Sequence, residues 1–245
     1  FLMILGIPIM TMEFSVGRAS KKSPVRSFKQ LEKPGTKWHI HGYVSLVGNY
    51  IIMMFYTTVA GWMLYYFYLT ATGRFTGLDA QAISVVFDDM KQNPVVMVTC
   101  MVIVVVVGVF ICSIGVQNGL EKVSKAMMTS LLIIMLVLAV NSFFMDGAKE
   151  GLSFFLIPDF GRMSSVGIGK TIVYAMNQAF FTLSVGIGSM AIFGSYIEKD
   201  HSLLSESINI AALDTFVAIT SGLIIFPACF TFGVDQTQGP SLIFI

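Results

Sequence analysis

Long stretches without a charged residue are the feature that most constrains how this chain can fold. Stretches of about 20 residues or longer that contain no Asp, Glu, Lys or Arg include 38–73, 92–120, 126–145 and 171–197. A helix of about 20 mostly apolar residues spans the hydrocarbon core of a bilayer. The charge pattern therefore predicts an all-α, polytopic membrane protein.

The overall composition points the same way. Hydrophobic residues make up 55% of the 245 residues and charged residues only 12%, whereas about 25% of the residues in a soluble domain are charged. The net charge of +1 gives no indication of a nucleic-acid partner, and we expect none. The chain begins without Met and ends in an apolar run, so we expect it to be part of a longer protein.

Six membrane spans are expected. The apolar pattern places them at about 1–17, 42–72, 94–116, 125–145, 169–197 and 207–234. The first loop, 18–41, carries seven basic residues and Glu32 as its single acid. Because short basic loops stay on the cytoplasmic side, we expect this loop to be cytoplasmic in a multi-pass protein of the plasma membrane. The acidic loop 198–206 does not follow the rule, although acids contribute little to it.

The span at 169–197 has features of an interrupted helix. It is too long for a straight crossing, and Gly186 and Gly188 lie near its middle, next to Thr182 and Ser184. Irregular backbone at membrane depth is tolerated where it lines a cavity inside the protein, and broken helices form substrate and ion sites in secondary transporters. We therefore expect a break near 183–187. The alternative is that the small residues only let neighbouring helices pack closely.

Two carboxylates, Glu13 and Asp214, lie inside predicted spans. A charge at the bilayer centre is energetically unfavourable and normally faces a partner or a water-filled cavity. For Glu13, one alternative is a pair with Arg18 near the membrane surface, and the other is a carboxylate that accepts backbone N–H groups released by a broken helix. Asp214 has no cation near it in the sequence. With Thr182 and Ser184 it offers the oxygen ligands that hard cations such as Na⁺ prefer.

Sequence motifs of enzymes are absent. The chain contains no HExxH zinc motif, no GxSxG nucleophile elbow and no Walker loop. We therefore expect neither an enzyme nor an organic cofactor. A channel is compatible with the composition, but a repeated filter sequence or a ring-forming polar helix is not visible.

Segments that resemble one known family follow each other along the whole chain. They are GIPIMTMEFSVGR (6–18), FYTTVAGWMLYY (55–66), GLEKVSKAMM (119–128), NQAFFTLSVGIGSMAIFGSYIEKD (177–200) and ALDTFVAITSGLIIFPACFTFG (212–233). They are similar to the neurotransmitter:sodium symporter family of LeuT-fold amino-acid transporters, especially its bacterial branch. The resemblance implies helices two to seven of an inverted-repeat fold. Residues 1–245 would then form a partial transporter domain that lacks the first helix and helices eight onward.

The resemblance also implies a substrate pocket. Tyr56 matches a tyrosine whose hydroxyl contacts the substrate carboxylate, and Phe181 matches an aromatic lid over the substrate. Ile187 replaces an aromatic residue of some members, which should reshape the pocket. The residues expected to bind substrate are Ile52, Tyr56, Phe180, Phe181, Thr182, Ser184 and Ile187.

The same resemblance implies an ion site and supporting residues. Thr182 and Asp214 match ligands of a sodium site, with Asp214 where many members have Asn. Ala218 stands where chloride-dependent animal members have a serine. The residues expected in gating or supporting networks are Glu13, which would brace the broken helices, Gln178 in an outer polar network and Tyr196 at a cytoplasmic gate.

Together these features predict a sodium-coupled symporter that moves an amino acid, an apolar one, by alternating access. Its expected partners are the amino acid, Na⁺ and the lipid bilayer, and both monomer and dimer stay open. Three alternatives also stay open: a proton-coupled transporter that uses Asp214, a channel-like or receptor protein that reuses the fold, and a structural fragment that needs its missing helices.

Overall fold

The computed structural model describes residues 1–236 and 239–244, and these residues form helices and no strands. In chain order the helices are α1 (Ile7–Ser20), α2 (Pro24–Leu31), α3 (His39–Ala71), α4 (Ala80–Gln92), α5 (Pro94–Ser113), α6 (Lys122–Ser142), α7 (Ala148–Leu156), α8 (Phe160–Val166), α9 (Ile168–Thr182), α10 (Ser189–Gly194) and α11 (Leu203–Phe232). Short π-helical turns precede α1 and α6, at Leu2–Gly6 and Val116–Glu121. Residues Gly239–Phe244 form a 3-10 turn. The predicted all-α class is confirmed.

Five helical stretches of the described chain are long and apolar enough to cross a membrane. They are Leu2–Ser20, His39–Ala71, Pro94–Ser113, Gly119–Ser142 and Leu203–Phe232. These stretches coincide with five of the six predicted spans. The sixth, 169–197, consists of the two shorter helices α9 and α10. The longest predicted span is one continuous helix, because α3 runs for 33 residues, or about 50 Å at 1.5 Å per residue.

The segments between the spans, which were expected to be loops, contain helices. Within 18–41, α2 begins at Pro24 after the extended residue Ser23. Within 73–93, α4 begins after Asp79, whose carboxylate accepts the backbone N–H of Ala82 at 2.8 Å. A proline in the first turn and an Asp N-cap are both common at helix starts. The short helices α7 and α8 lie within 146–168.

The chain divides into two compact units, of which the first contains Phe1–Ile52 and Asp159–Ala218. In this unit α1 packs very closely against α10. A Cβ atom on Gly17 would overlap the carbonyl oxygen of Ala191, and one on Gly194 would lie 2.5 Å from the carbonyl oxygen of Phe14. Small residues at these positions let the two backbones approach. The apolar core of the unit comprises Met10, Phe14, Leu183, Val185, Leu203 and Ala211.

The second unit contains Met53–Pro158 and Ile219–Ile245, and it includes a proline inside α11. Because Pro227 has no N–H group, the carbonyl of Leu223 lacks its helical donor. The hydroxyl of Ser142, at the end of α6, lies 2.8 Å from that carbonyl oxygen and donates to it. Neighbouring helices and Ser side chains commonly satisfy the backbone groups that a proline frees in a membrane helix.

Candidate functional site

A six-residue interruption separates α9 from α10 in the first unit. The helix α9 ends at Thr182 and α10 begins at Ser189. Between them three residues have positive φ angles: Ser184 at 51°, Gly186 at 89° and Gly188 at 72°. Glycine adopts this conformation readily, whereas a non-glycine residue seldom does. The predicted break near 183–187 is therefore confirmed.

The carboxylate of Glu13 on α1 reaches this interruption. Its Oε1 accepts the backbone N–H of Gly186 at 2.6 Å, and the side chain is buried. Among the described residues Oε2 has no hydrogen-bond partner. Arg18 instead donates to the carbonyl oxygens of His201 at 2.8 Å and Glu198 at 3.4 Å. Of the two alternatives for Glu13, the structure has the one in which the carboxylate accepts a backbone N–H freed by the broken helix.

A second side chain holds the interruption from another direction. The amide nitrogen of Asn49, on α3, donates to the carbonyl oxygen of Ile187 at 2.7 Å and to that of Ser45 at 2.8 Å. Within the interruption itself, the hydroxyl of Ser189 donates to the carbonyl oxygen of Ser184 at 2.7 Å. Asn49 is not among the site residues predicted from the sequence. The signal that could have found it is an amide side chain inside an uncharged span.

The end of α9 meets α11 through the pair expected to form the ion site. The hydroxyl of Thr182 donates to Oδ2 of Asp214 at 2.9 Å, although the residues are 32 positions apart in the sequence. Both side chains are half-buried. Among the described residues Asp214 forms no ion pair with Lys, Arg or His. A carboxylate inside a membrane normally faces a partner. The Thr182 hydroxyl oxygen and the Asp214 carboxylate therefore form a negatively charged position suited to a small cation.

The residues expected to bind substrate occupy different surroundings. Phe181 is 55% exposed, whereas its neighbour Phe180 packs against the core of the first unit. The side chain of Ile187 faces Gly48 of α3, because its Cγ2 would lie 3.8 Å from a Cβ atom built there. Ser184 is half-buried. All of these residues and Ile52 belong to the first unit.

The expected roles of three further residues stay predictions: Tyr56, Gln178 and Tyr196. Tyr56 belongs to the second unit, so its place in one substrate pocket with Phe181 and Ser184 stays a prediction. It is 46% exposed, and its ring lies edge-on to that of Phe55 at 5.8 Å. Gln178 and Tyr196 are both exposed. Among the described residues, neither forms a hydrogen bond with Thr182 or Asp214.

Known proteins resemble this chain over its whole length. The family model described as "Sodium:neurotransmitter symporter family" matches residues 1–77 and 74–239. The uncharacterized sodium-dependent transporter YhdH of Bacillus subtilis is 32% identical over 244 residues, which are 100% of this chain and 53% of that protein. An uncharacterized sodium-dependent transporter of Haemophilus influenzae is 28% identical over 252 residues, 99% of this chain and 54% of the relative.

A solved structure has the same fold. The crystal structure of MhsT in complex with L-phenylalanine superposes with a TM-score of 0.92 at 35% sequence identity, and the match covers 100% of this chain and 55% of the MhsT chain. The chain thus spans about half the length of the relatives that it matches.

Proposed function

Since the chain belongs to the sodium:neurotransmitter symporter family, we propose that the full protein is a secondary active transporter that couples the entry of Na⁺ to the uptake of an apolar amino acid. The chain itself is a multi-pass membrane protein in which the predicted span at 169–197 is broken into two helices. It supplies about half of such a transporter. The work comes from the ion gradient, since moving one charge through 100 mV releases about 2.3 kcal/mol.

The contact between Thr182 and Asp214 is the main support for coupling to sodium. It combines a hydroxyl and a carboxylate oxygen 2.9 Å apart, and oxygen-only ligand sets suit hard cations. It also lies where α9 ends, and the carbonyl end of a helix carries partial negative charge. In broken-helix transporters, unwound carbonyls and half-helix ends coordinate the coupling ion. Thr182 and Asp214 would therefore each give an oxygen ligand to Na⁺.

The interrupted backbone supports the expectation of an amino-acid substrate. An amino acid presents a carboxylate and an ammonium group, and the irregular segment 183–188 offers backbone groups that are outside a helical ladder. Tyr56 would donate to the carboxylate, Phe181 would cover the substrate, and Ser184 and Ile187 would line the side-chain end with Ile52 and Phe180. MhsT, which has the same fold, binds L-phenylalanine. Glu13 would brace the break through Gly186.

Uptake of labelled amino acids by the full-length protein in proteoliposomes tests the proposal. We expect uptake of apolar amino acids with an inward Na⁺ gradient and none when choline replaces Na⁺. A set that includes charged and small polar amino acids tests the substrate class. Uptake driven by an inward proton gradient without Na⁺ would instead support the proton-coupled alternative, in which Asp214 carries the proton. Downhill ion flux that is not coupled to any substrate would support a channel-like protein.

A further inference from the structure

The carbonyl group of Ile187 needs a partner that α10 does not provide. The N-cap of α10 is Gly188, so the carbonyl one residue earlier lies outside the hydrogen-bond ladder of that helix. Within a membrane, water is not at hand to satisfy a stray backbone group, and such a group is destabilising without a partner. The position of Ile187 therefore depends on a donor from elsewhere in the fold.

Asn49 supplies that donor, and its orientation is fixed. Both of its amide contacts, at 2.7 Å to Ile187 and 2.8 Å to Ser45, are with carbonyl oxygens. Only the NH₂ group of an Asn side chain can donate to two carbonyls, so the amide cannot turn over without losing both bonds. The bond to Ser45, one turn earlier on α3, ties the amide to its own helix. The bond to Ile187 ties the broken segment to α3.

The same stretch of α3 also lies beside the side chain of Ile187. Its Cγ2 lies next to Gly48, at ordinary van der Waals distance from where a Cβ atom would be. Asn49 thus holds the carbonyl of Ile187, and the neighbouring Gly48 leaves room beside its side chain. Ile187 is the residue expected at the side-chain end of the substrate pocket.

We propose that Asn49 is a positioning residue that sets the place of Ile187 and, through it, the preference of the pocket for substrate side chains of a given size. The effect on preference rests on the proposed function, whereas the effect on the broken segment does not. Replacement of Asn49 by Leu keeps the size of the side chain and removes both N–H donors. The carbonyl of Ile187 is then left without a donor, and segment 183–188 loses its hydrogen bond to α3.

Hydrogen–deuterium exchange of the purified full-length protein tests the first step. We expect Asn49→Leu to raise exchange in peptides that cover 183–194 by about tenfold, equivalent to about 1.4 kcal/mol. Asn49→Gln, which keeps an amide donor, should restore part of the protection. The control is Asn209→Leu: Asn209 is exposed on α11 of the same unit, and this change should leave exchange at 183–194 unaltered. If Asn49→Leu does not fold, Asn49→Ala removes the same donors and is measured in the same way.

Substrate preference tests the second step. We expect Asn49→Leu to change the ratio of KM values for a large and a small apolar amino acid by about tenfold, with a smaller change in maximal rate. In an Ile187→Ala background the Asn49 bond to the backbone carbonyl stays, but the same substitution should change that ratio little, because the side chain that would meet the substrate is gone. Equal effects in both backgrounds would show that Asn49 acts by another route.

The two measurements separate failure of this inference from failure of the proposed function. Unchanged exchange at 183–194 in Asn49→Leu overturns the positioning role. Raised exchange with an unchanged KM ratio overturns the role in substrate preference. If the wild-type protein takes up no amino acid, the proposed function is wrong and so is the role in preference, while the exchange data still decide whether Asn49 positions the break.

Discussion

Removal of the charge at Asp214 gives the most direct test of the sodium site. Asp214→Asn keeps the size of the side chain and an oxygen that can accept a hydrogen bond from the Thr182 hydroxyl, whose oxygen lies 2.9 Å from Oδ2 of Asp214. It removes only the negative charge that would face Na⁺. Two unit charges about 4 Å apart interact by about 4 kcal/mol at an effective dielectric constant of 20, which corresponds to nearly a thousandfold in affinity.

The expected loss of Na⁺ affinity is no larger than this thousandfold, because Asp214 is only half-buried and water screens part of the interaction. We therefore expect the Na⁺ concentration for half-maximal uptake to rise between about tenfold and a thousandfold in Asp214→Asn. The assay is uptake by the full-length protein over a Na⁺ series in which choline keeps the ionic strength constant. Thr215→Val is the matched control, because the Thr215 hydroxyl bonds the carbonyl of Ala211 within its own helix, at 2.7 Å. An unchanged Na⁺ dependence in Asp214→Asn would refute the reasoning.

The same carboxylate leads us to expect transport that does not require chloride. A buried cation is tolerable when a negative charge is paired with it, and Asp214 would supply that charge from the protein. Ala218, four residues later, has no hydroxyl to hold an anion. Replacement of chloride by gluconate should leave wild-type uptake unchanged. Asp214→Asn should regain uptake in chloride only when Ala218→Ser is also present. A large loss of wild-type uptake in gluconate would contradict this account.

Three further predictions concern the substrate, the brace and the cytoplasmic loop. Tyr56→Phe in the full-length protein should weaken amino-acid binding by about tenfold or more, since a hydrogen bond to a charged group contributes about 1.5–3 kcal/mol; unchanged affinity by calorimetry would remove Tyr56 from the site. Glu13→Gln should weaken the bond from Gly186 by about 1 kcal/mol and lower substrate affinity about fivefold, with a larger loss in Glu13→Ala; equal affinities in all three proteins would rule out the brace. The backbone N–H and the ring of His39 hold the pKa of Glu32 below its ordinary value of 4.5, so the contact stabilises the loop above pH 4.5 and is lost as the pH falls through the lowered pKa. A carbon-13 titration of the Glu32 carboxyl should show a midpoint under 4.5 that moves up in His39→Ala.

Hydropathy and charge were enough to predict the spans, and the length and glycines of 169–197 were enough to predict the break. Five of the predicted spans are single long helices in the structure, and the span at 169–197 is split where its glycines lie. The acid at Asp214 was visible because a charge within an apolar run stands out, and its pairing with Thr182 followed the family resemblance. The signals for α2 and α4 were also present, as Pro24 and Asp79 near the helix starts. The charge pattern alone did not predict these helices, because polar segments between spans have the composition of loops.

The contacts that hold the break could not be predicted in the same way. Asn49 carries no charge and so does not stand out as Glu13 and Asp214 do, and its partner Ile187 is 138 residues away. Ser142 and Leu223 are 81 residues apart, and their bond depends on which turn of α6 faces the proline in α11. Contacts of this kind follow from the helix packing, which a single sequence does not specify.

The glycines of the broken span show why the two explanations of its composition were not true alternatives. Gly186 has a φ of 89° and open space around the position of a Cβ atom, so it is needed for its backbone conformation. Gly194, eight residues later, is helical, and a Cβ atom there would collide with the backbone of Phe14. One glycine shapes an irregular segment that faces Glu13, and the other lets α10 pack against the helix that carries Glu13. Because the close packing fixes α10 on α1, the carboxylate and the N–H of Gly186 are held at bonding distance, and the irregular segment keeps a defined shape.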